Sequence, residues 1–156
     1  FDADGWLRWL DRLPRPGCLF AVAPDVLGDA ALTWERSQPY LSRIRAMNFP
    51  AALVAQNGWD SDAVDWSAFD ALFVGGDTAF KLAATTFNLA AEARARGKWT
   101  HMGRVNSRSR LAAATWDYDS TDGTYIAFGP DQNLRKVLGW IDQGHLGDLT
   151  GRSRTA

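Results

Sequence analysis

Apolar and polar positions fall in blocks along this chain. A short apolar run, a glycine or polar break and a longer amphipathic stretch recur five times. The apolar runs are residues 18–23, 51–55, 71–74, 99–102 and, more weakly, 118–121. Runs that are apolar at nearly every position suit parallel strands covered on both faces, because a half-exposed strand alternates. Between the runs the spacing predicts helices. Residues 29–47 place Ala30, Ala31, Trp34, Leu41 and Ile44 at helical intervals, with Pro39 expected to break or kink the segment. Residues 78–96 are rich in Ala and Leu and stop at Gly97. Residues 106–116 open on Asn106 and Ser107 as N-caps, and 133–143 close the pattern before Gly144. A leading helix over 2–13 ends at Pro14 and Pro16. The polar segment 145–156 reads as a flexible tail, so the expected division is one domain over 1–144 and a tail over 145–156.

A leading helix and five strand–helix units make an α/β protein, either a doubly wound sheet or a (β/α)8 barrel of the TIM type. Neither G-x-G-x-x-G nor G-x-x-x-x-G-K-[ST] follows any run, so the nucleotide-binding fingerprints are missing. Five units are a little over half a barrel, which takes about 250 residues. The expectation is therefore the C-terminal part of a barrel, with more chain upstream of Phe1.

Composition narrows this picture in a few places. Eight Trp, eight Phe and a 46% hydrophobic fraction belong to a chain with a packed core and exclude a disordered one. No stretch approaches the roughly 18 apolar residues of a membrane span. Cys18, the one cysteine, excludes a disulfide framework and any Cys-based zinc or iron–sulfur site within the chain. With no basic-then-apolar leader visible, the expected setting is cytoplasmic. Seventeen basic against eighteen acidic residues argue against a general basic coat for nucleic acid.

In barrels, reactive groups gather where strands end and βα loops begin. The five strand ends carry Pro24-Asp25, Gln56-Asn57-Gly58, Gly75-Gly76-Asp77, Gly103-Arg104-Val105-Asn106 and Asp122-Gly123. If the order of elements holds, they face one mouth. Each has a plainer reading beside the functional one. Asp25 could start a turn, and Gly75-Gly76 could serve close packing of the next helix as well as a ligand. Asp77 suits a helix N-cap, and in Asp119–Asp122 one acid could cap while the other reacts. His101, inside an apolar run, reads as a core histidine rather than a base. Arg104, Arg108 and Arg110 form a basic cluster beside the mouth, or else a solvated helix face.

In this order the strand ends resemble the tRNA-guanine transglycosylase family, specifically divergent bacterial and phage relatives that insert 7-deazaguanines into nucleic acid. The matching pieces are A-P-D at 23–25, V-A-Q-N-G at 54–58, F-V-G-G-D at 73–77, G-K-W-T-H-M-G-R-V-N at 97–106 and D-S-T-D-G-T at 119–124. They run in the family's order to about Trp140. The resemblance implies a (β/α)8 barrel and a glycosyltransferase that exchanges guanine for a 7-deazaguanine without a cofactor. It implies Asp122 as the carboxylate that attacks C1′ and holds the sugar covalently, as in retaining glycosidases. Asp25 would accept from the base amino and ring N–H groups, and Gln56 with the Gly75-Gly76 backbone would donate to its carbonyl. Arg104, Arg108 and Arg110 would then be phosphate contacts, from charge and location.

Several departures point within the family. The zinc-binding cysteines are missing, so no metal is expected. Asp77 follows the glycine pair where an apolar residue is usual, Thr121 precedes the nucleophile, and F-G-P-D at 128–131 replaces P-T-R. These favour the DNA-modifying or an otherwise divergent branch, with DNA or tRNA both retained as partners and assembly as a homodimer or with a partner protein left open. The family's second catalytic aspartate would lie upstream of Phe1, so turnover by these residues alone is not implied. The competing expectations are another barrel enzyme acting on a small glycoside or phosphorylated metabolite, with Asp25 and Asp122 as its acids, and a non-catalytic partial barrel that binds a purine-like base.

Overall fold

Strand pairing follows chain order in the computed structural model, which describes residues 2–148. The strands are β1 (Ala21–Val22), β2 (Ala51–Ala55), β3 (Ala71–Val74), β4 (Trp99–Met102) and β5 (Ser120–Thr121). All four pairings are parallel, and the five-stranded sheet curls into a half-barrel. The helices are α1 (Ala3–Asp11), α2 (Ala30–Ala46), α3 (Thr78–Lys81), α4 (Ala84–Ala95), α5 (Arg108–Ala114) and α6 (Pro130–Asp148). Short 3-10 turns at Trp66–Ala68 and Ile126–Phe128 lie between them; the hydrophobic pattern, which marks only longer elements, does not show these.

The two-residue period of a strand divides the apolar runs between two jobs. Leu53, Ala55, Leu72, Val74 and Met102 pack with Leu41 and Ile44 of α2, Leu89, Ala90 and Ala93 of α4, and Ala114 of α5. The alternate positions Val54 and Phe73, with Gln56 and Gly75 continuing the same alternation, line a cleft on the other side. Both faces are therefore covered, which is why the runs look continuous rather than alternating.

The strand starts are pinned by a repeated device. The residue before β3, Asp70, accepts from the Ala51 N–H of β2 at 2.8 Å and from Arg45 through two bonds of 2.9 and 2.7 Å. The residue before β5, Asp119, accepts from the Thr100 N–H of β4 at 2.8 Å and from its hydroxyl at 2.9 Å. Of the two acids in the D-x-x-D segment, Asp119 is thus structural, and it sits at the end of the sheet away from the cleft.

Three helices differ from their expected form. α2 runs unbroken through Pro39, because Pro39 and Glu35, whose carbonyl loses its helical donor, lie on the exposed face where water serves instead. The helix expected over 78–96 divides into α3 and α4. Thr86 Oγ donates to the Phe80 carbonyl at 2.6 Å, and Ala83 turns to extended backbone to start α4. α6 continues past Gly144 to Asp148, so the tail expected from residue 145 does not begin there. A single helical glycine costs only about 1 kcal/mol relative to alanine, too little to end a helix. The remainder of that expected tail lies outside the described residues.

Candidate functional site

The C-terminal ends of the strands enclose a cleft of about 290 Å³. It is lined by Val22, Asp25 and Leu27 at β1, Val54 and Gln56 at β2, Phe73, Gly75 and Gly76 at β3, Lys81 of α3, Gly103 and Arg104 at β4, and Asp122 at β5. All five strand ends therefore contribute to one mouth.

At the β1–β2 side, Gln56 is 1% exposed and bonded at both ends of its amide. Its nitrogen donates to Asp25 Oδ2 at 2.7 Å, and its oxygen accepts from the Gly28 N–H at 3.0 Å. The Asp25 loop is in turn clamped by α2. Ser37 donates to the Pro24 carbonyl at 2.8 Å, Arg36 to the Asp25 carbonyl at 3.0 Å, and Thr33 both donates to and accepts from the backbone of Val26. Asp25 itself is exposed, with a carboxylate oriented by its amide neighbour and open to the cleft.

The glycine pair is required on both counts that the sequence leaves open. A Cβ on Gly75 would lie 2.7 Å from Val54 Cγ1 and 3.0 Å from Gln56 Nε2. At Gly76 the backbone has φ +72°, and a Cβ would meet the Phe80 ring at 2.7 Å and Asn57 Oδ1 at 2.8 Å. Gly76 is buried, yet its N–H makes no hydrogen bond among the described residues. A buried donor without a partner at the wall of a cleft is uncommon and suits a ligand acceptor. Asp77 is occupied as a cap: it accepts from the Phe80 N–H at 2.8 Å and from Asn57 Nδ2 at 2.9 Å. The Phe80 N–H is the foremost cause that holds its carboxyl below the ordinary range.

At the β4–β5 side, Asp122 accepts from the Arg104 N–H through Oδ1 at 2.8 Å and from His101 Nε2 through Oδ2 at 3.1 Å. His101 is buried against the rings of Phe73 and Phe20, with centroids 4.6 and 5.3 Å away. Its other nitrogen, Nδ1, lies 2.8 Å from Ser120 Oγ, which also accepts from the Trp99 indole N–H at 2.8 Å. A carboxylate can only accept, so Nε2 must carry a hydrogen. In the neutral ring Nδ1 is then bare and takes the Ser120 hydroxyl hydrogen, while the indole satisfies the Ser120 oxygen. The chain Trp99–Ser120–His101–Asp122 thus has one consistent direction, each donor facing an acceptor. It leaves the half-exposed carboxylate, 51% accessible, held on both oxygens and still facing the cleft.

Arg104 adopts φ +58°, a left-handed conformation unusual for a side-chain-bearing residue. That conformation accompanies two bonds, its N–H to Asp122 and its carbonyl accepting from Arg110 Nη1 at 3.2 Å. Arg110 also donates to Thr78 Oγ at 2.7 Å, so it bridges the β4 loop to α3. Arg108 points elsewhere: its guanidinium donates to Gln143 of α6 at 2.7 Å, and it does not line the cleft.

No family model matches the chain, and no curated protein matches it.

Of the residues singled out from the sequence, Asp25, Gln56, Gly75, Gly76, Arg104 and Asp122 share the cleft, Arg110 stands behind Arg104, and Arg108 faces α6. Sequence reasoning missed two. His101 reads as a core residue, and it is buried, but one nitrogen reaches the Asp122 carboxylate. Lys81 falls inside a long expected helix; its position four residues after Asp77, on the first turn after the glycine loop, is the signal the sequence offers. Among the described residues no group of three or more His, Cys, Asp or Glu side chains could hold a metal ion.

Proposed function

We propose that this chain forms five units of a (β/α)8 barrel that exchanges guanine for a 7-deazaguanine in a nucleic acid, DNA or tRNA. The observation that carries the reading is the donor–acceptor order along one wall of the cleft. The acceptor-only Asp25 carboxylate comes first, then the Gln56 amide, then the unpaired Gly76 N–H. A guanine edge presents two adjacent N–H donors and then a carbonyl, the complement of that order. Such groups discriminate strongly, because each one left buried and unpaired by a wrong base costs about 1–3 kcal/mol. The volume, about 290 Å³, lies at the lower end of small-molecule sites and fits one base with its sugar.

Asp122 stands at the other end of the strand order, where the sugar of such a base would lie. One of its oxygens would form a bond to C1′ as the C1′–N9 bond breaks, with the electron pair leaving on the base. The His101 and Arg104 donors favour the carboxylate, so they also make it a good leaving group when the incoming base nitrogen attacks C1′. Reaching the pocket requires the target nucleotide to be unstacked or single-stranded.

The test is incorporation of labelled guanine into DNA and into tRNA by the full protein. The reading expects label in one polymer and none with Asp122→Ala. Absence of label from both polymers overturns it.

A further inference from the structure

Lys81 is 4% exposed, lines the cleft, and its ammonium has no hydrogen-bond or ion-pair partner among the described residues. An ammonium is rarely buried to this degree without a partner. The charges that act on it are the cations Arg104 and Arg110 and the acids Asp122 and Asp77. The two acids are already engaged, Asp77 as a helix cap and Asp122 by Arg104 and His101. Lys81 and Arg104 line this end of the cleft and Arg110 stands behind Arg104, so three cations face two acids there. Burial, and then the repulsion of Arg104 and Arg110, hold the Lys81 ammonium below its ordinary pKa. An anionic ligand would reverse that penalty.

We propose that Lys81, supported by Arg104 and Arg110, forms a phosphate subsite that holds the phosphodiester beside the reacting nucleotide. This rests on the base-exchange reading for the identity of the ligand, and it replaces Arg108 with Lys81 in the basic cluster. Lysine suits the role as a compact charge that can meet a phosphate oxygen from any direction. Arg110 is fixed by Thr78 and the Arg104 carbonyl, so the subsite is preformed on one side.

The experiment measures binding, so it stands apart from turnover. A labelled single-stranded oligonucleotide is titrated with the full protein over a range of salt concentrations, with inorganic phosphate as competitor, for wild type, Lys81→Met and Lys81→Arg. One lost phosphate contact on a single strand lowers the slope of log K against log salt by about 0.7. The expected result is that loss in Lys81→Met with weaker phosphate competition, and a near wild-type slope in Lys81→Arg. An unchanged slope and affinity in Lys81→Met overturns the proposal, as does a wild type that binds neither oligonucleotide nor phosphate. Should Lys81→Met fail to fold, acetylation of Lys81 in the wild type is followed by mass spectrometry: several-fold protection by the oligonucleotide supports the subsite, and none overturns it. Lys81-dependent binding without guanine exchange supports the subsite while removing the exchange reading.

Discussion

Removing the His101 donor tests how the site prepares its carboxylate. His101→Leu keeps an apolar side chain between Phe20 and Phe73 and deletes the hydrogen bond to Asp122 Oδ2. A hydrogen bond to a charged group contributes about 1.5–3 kcal/mol, which corresponds to roughly 10- to 150-fold in rate. Asp122 is half exposed, so water recovers part of the loss, and the expected fall is about 10-fold. In the proposed exchange reaction it should appear in kcat with little change in KM for the base, since the proposed base contacts follow β1–β3. Ser120→Ala acts one step back: it frees Nδ1 to take the hydrogen, which leaves a bare Nε2 facing the carboxylate. A fall of about fivefold, near 1 kcal/mol, is expected there. The two changes interrupt one chain, so the double variant should behave as His101→Leu alone rather than as the product of both. A His101→Leu protein within twofold of wild type in kcat, or single effects that multiply in the double variant, would refute the chain.

Two further predictions concern what holds the cleft open and the sheet together. In Gly103→Ala the new Cβ would lie 2.5 and 2.7 Å from Phe73 ring carbons, and that ring is backed by His101 and Phe20. Overpacking of this kind costs about 1–3 kcal/mol, so thermal melting should fall by roughly 2–4 °C per kcal/mol; an unchanged melting temperature would show that Phe73 moves freely. Asp70 is the second. Burial raises its pKa, but the Arg45 hydrogen bond, the Ala51 N–H and the charges of Arg45 and Lys98 outweigh this and hold it below the ordinary value. A depressed folded pKa stabilises the fold above the unfolded value and loses that contribution as pH falls through the acid range. Urea unfolding should therefore show a larger gap between wild type and Asp70→Asn at pH 7 than at pH 3, and an equal gap at both would contradict the assignment.

Much of the fold is legible because burial on both faces leaves unbroken apolar runs. The expected limits of β2, β3 and β4 coincide with the observed ones. β1 and β5 are shorter, two residues each, at the edges of the sheet, where among the described residues a strand has one ladder neighbour. The strand ends were readable because parallel strands taken in order bring their C-terminal ends to one side. Side-chain choices between two neighbours were not. Arg108 and Arg110 are both on α5, yet one bonds Gln143 and the other Thr78 and Arg104. Periodicity places a residue on a face without saying which acceptor it reaches. Lys81 was hidden for a related reason: the Ala-rich composition of 78–96 carries no mark of the break at Ala83, which depends on the Thr86 hydroxyl taking a backbone carbonyl.

The proposed reaction requires that Asp122 become covalently attached to a sugar. Full protein incubated with a guanine-containing oligonucleotide, without an incoming base, is denatured, digested and analysed by mass spectrometry. The expected result is an added nucleic-acid fragment on the peptide that contains Asp122 and no such adduct in Asp122→Asn. Base exchange that persists in Asp122→Asn would contradict it.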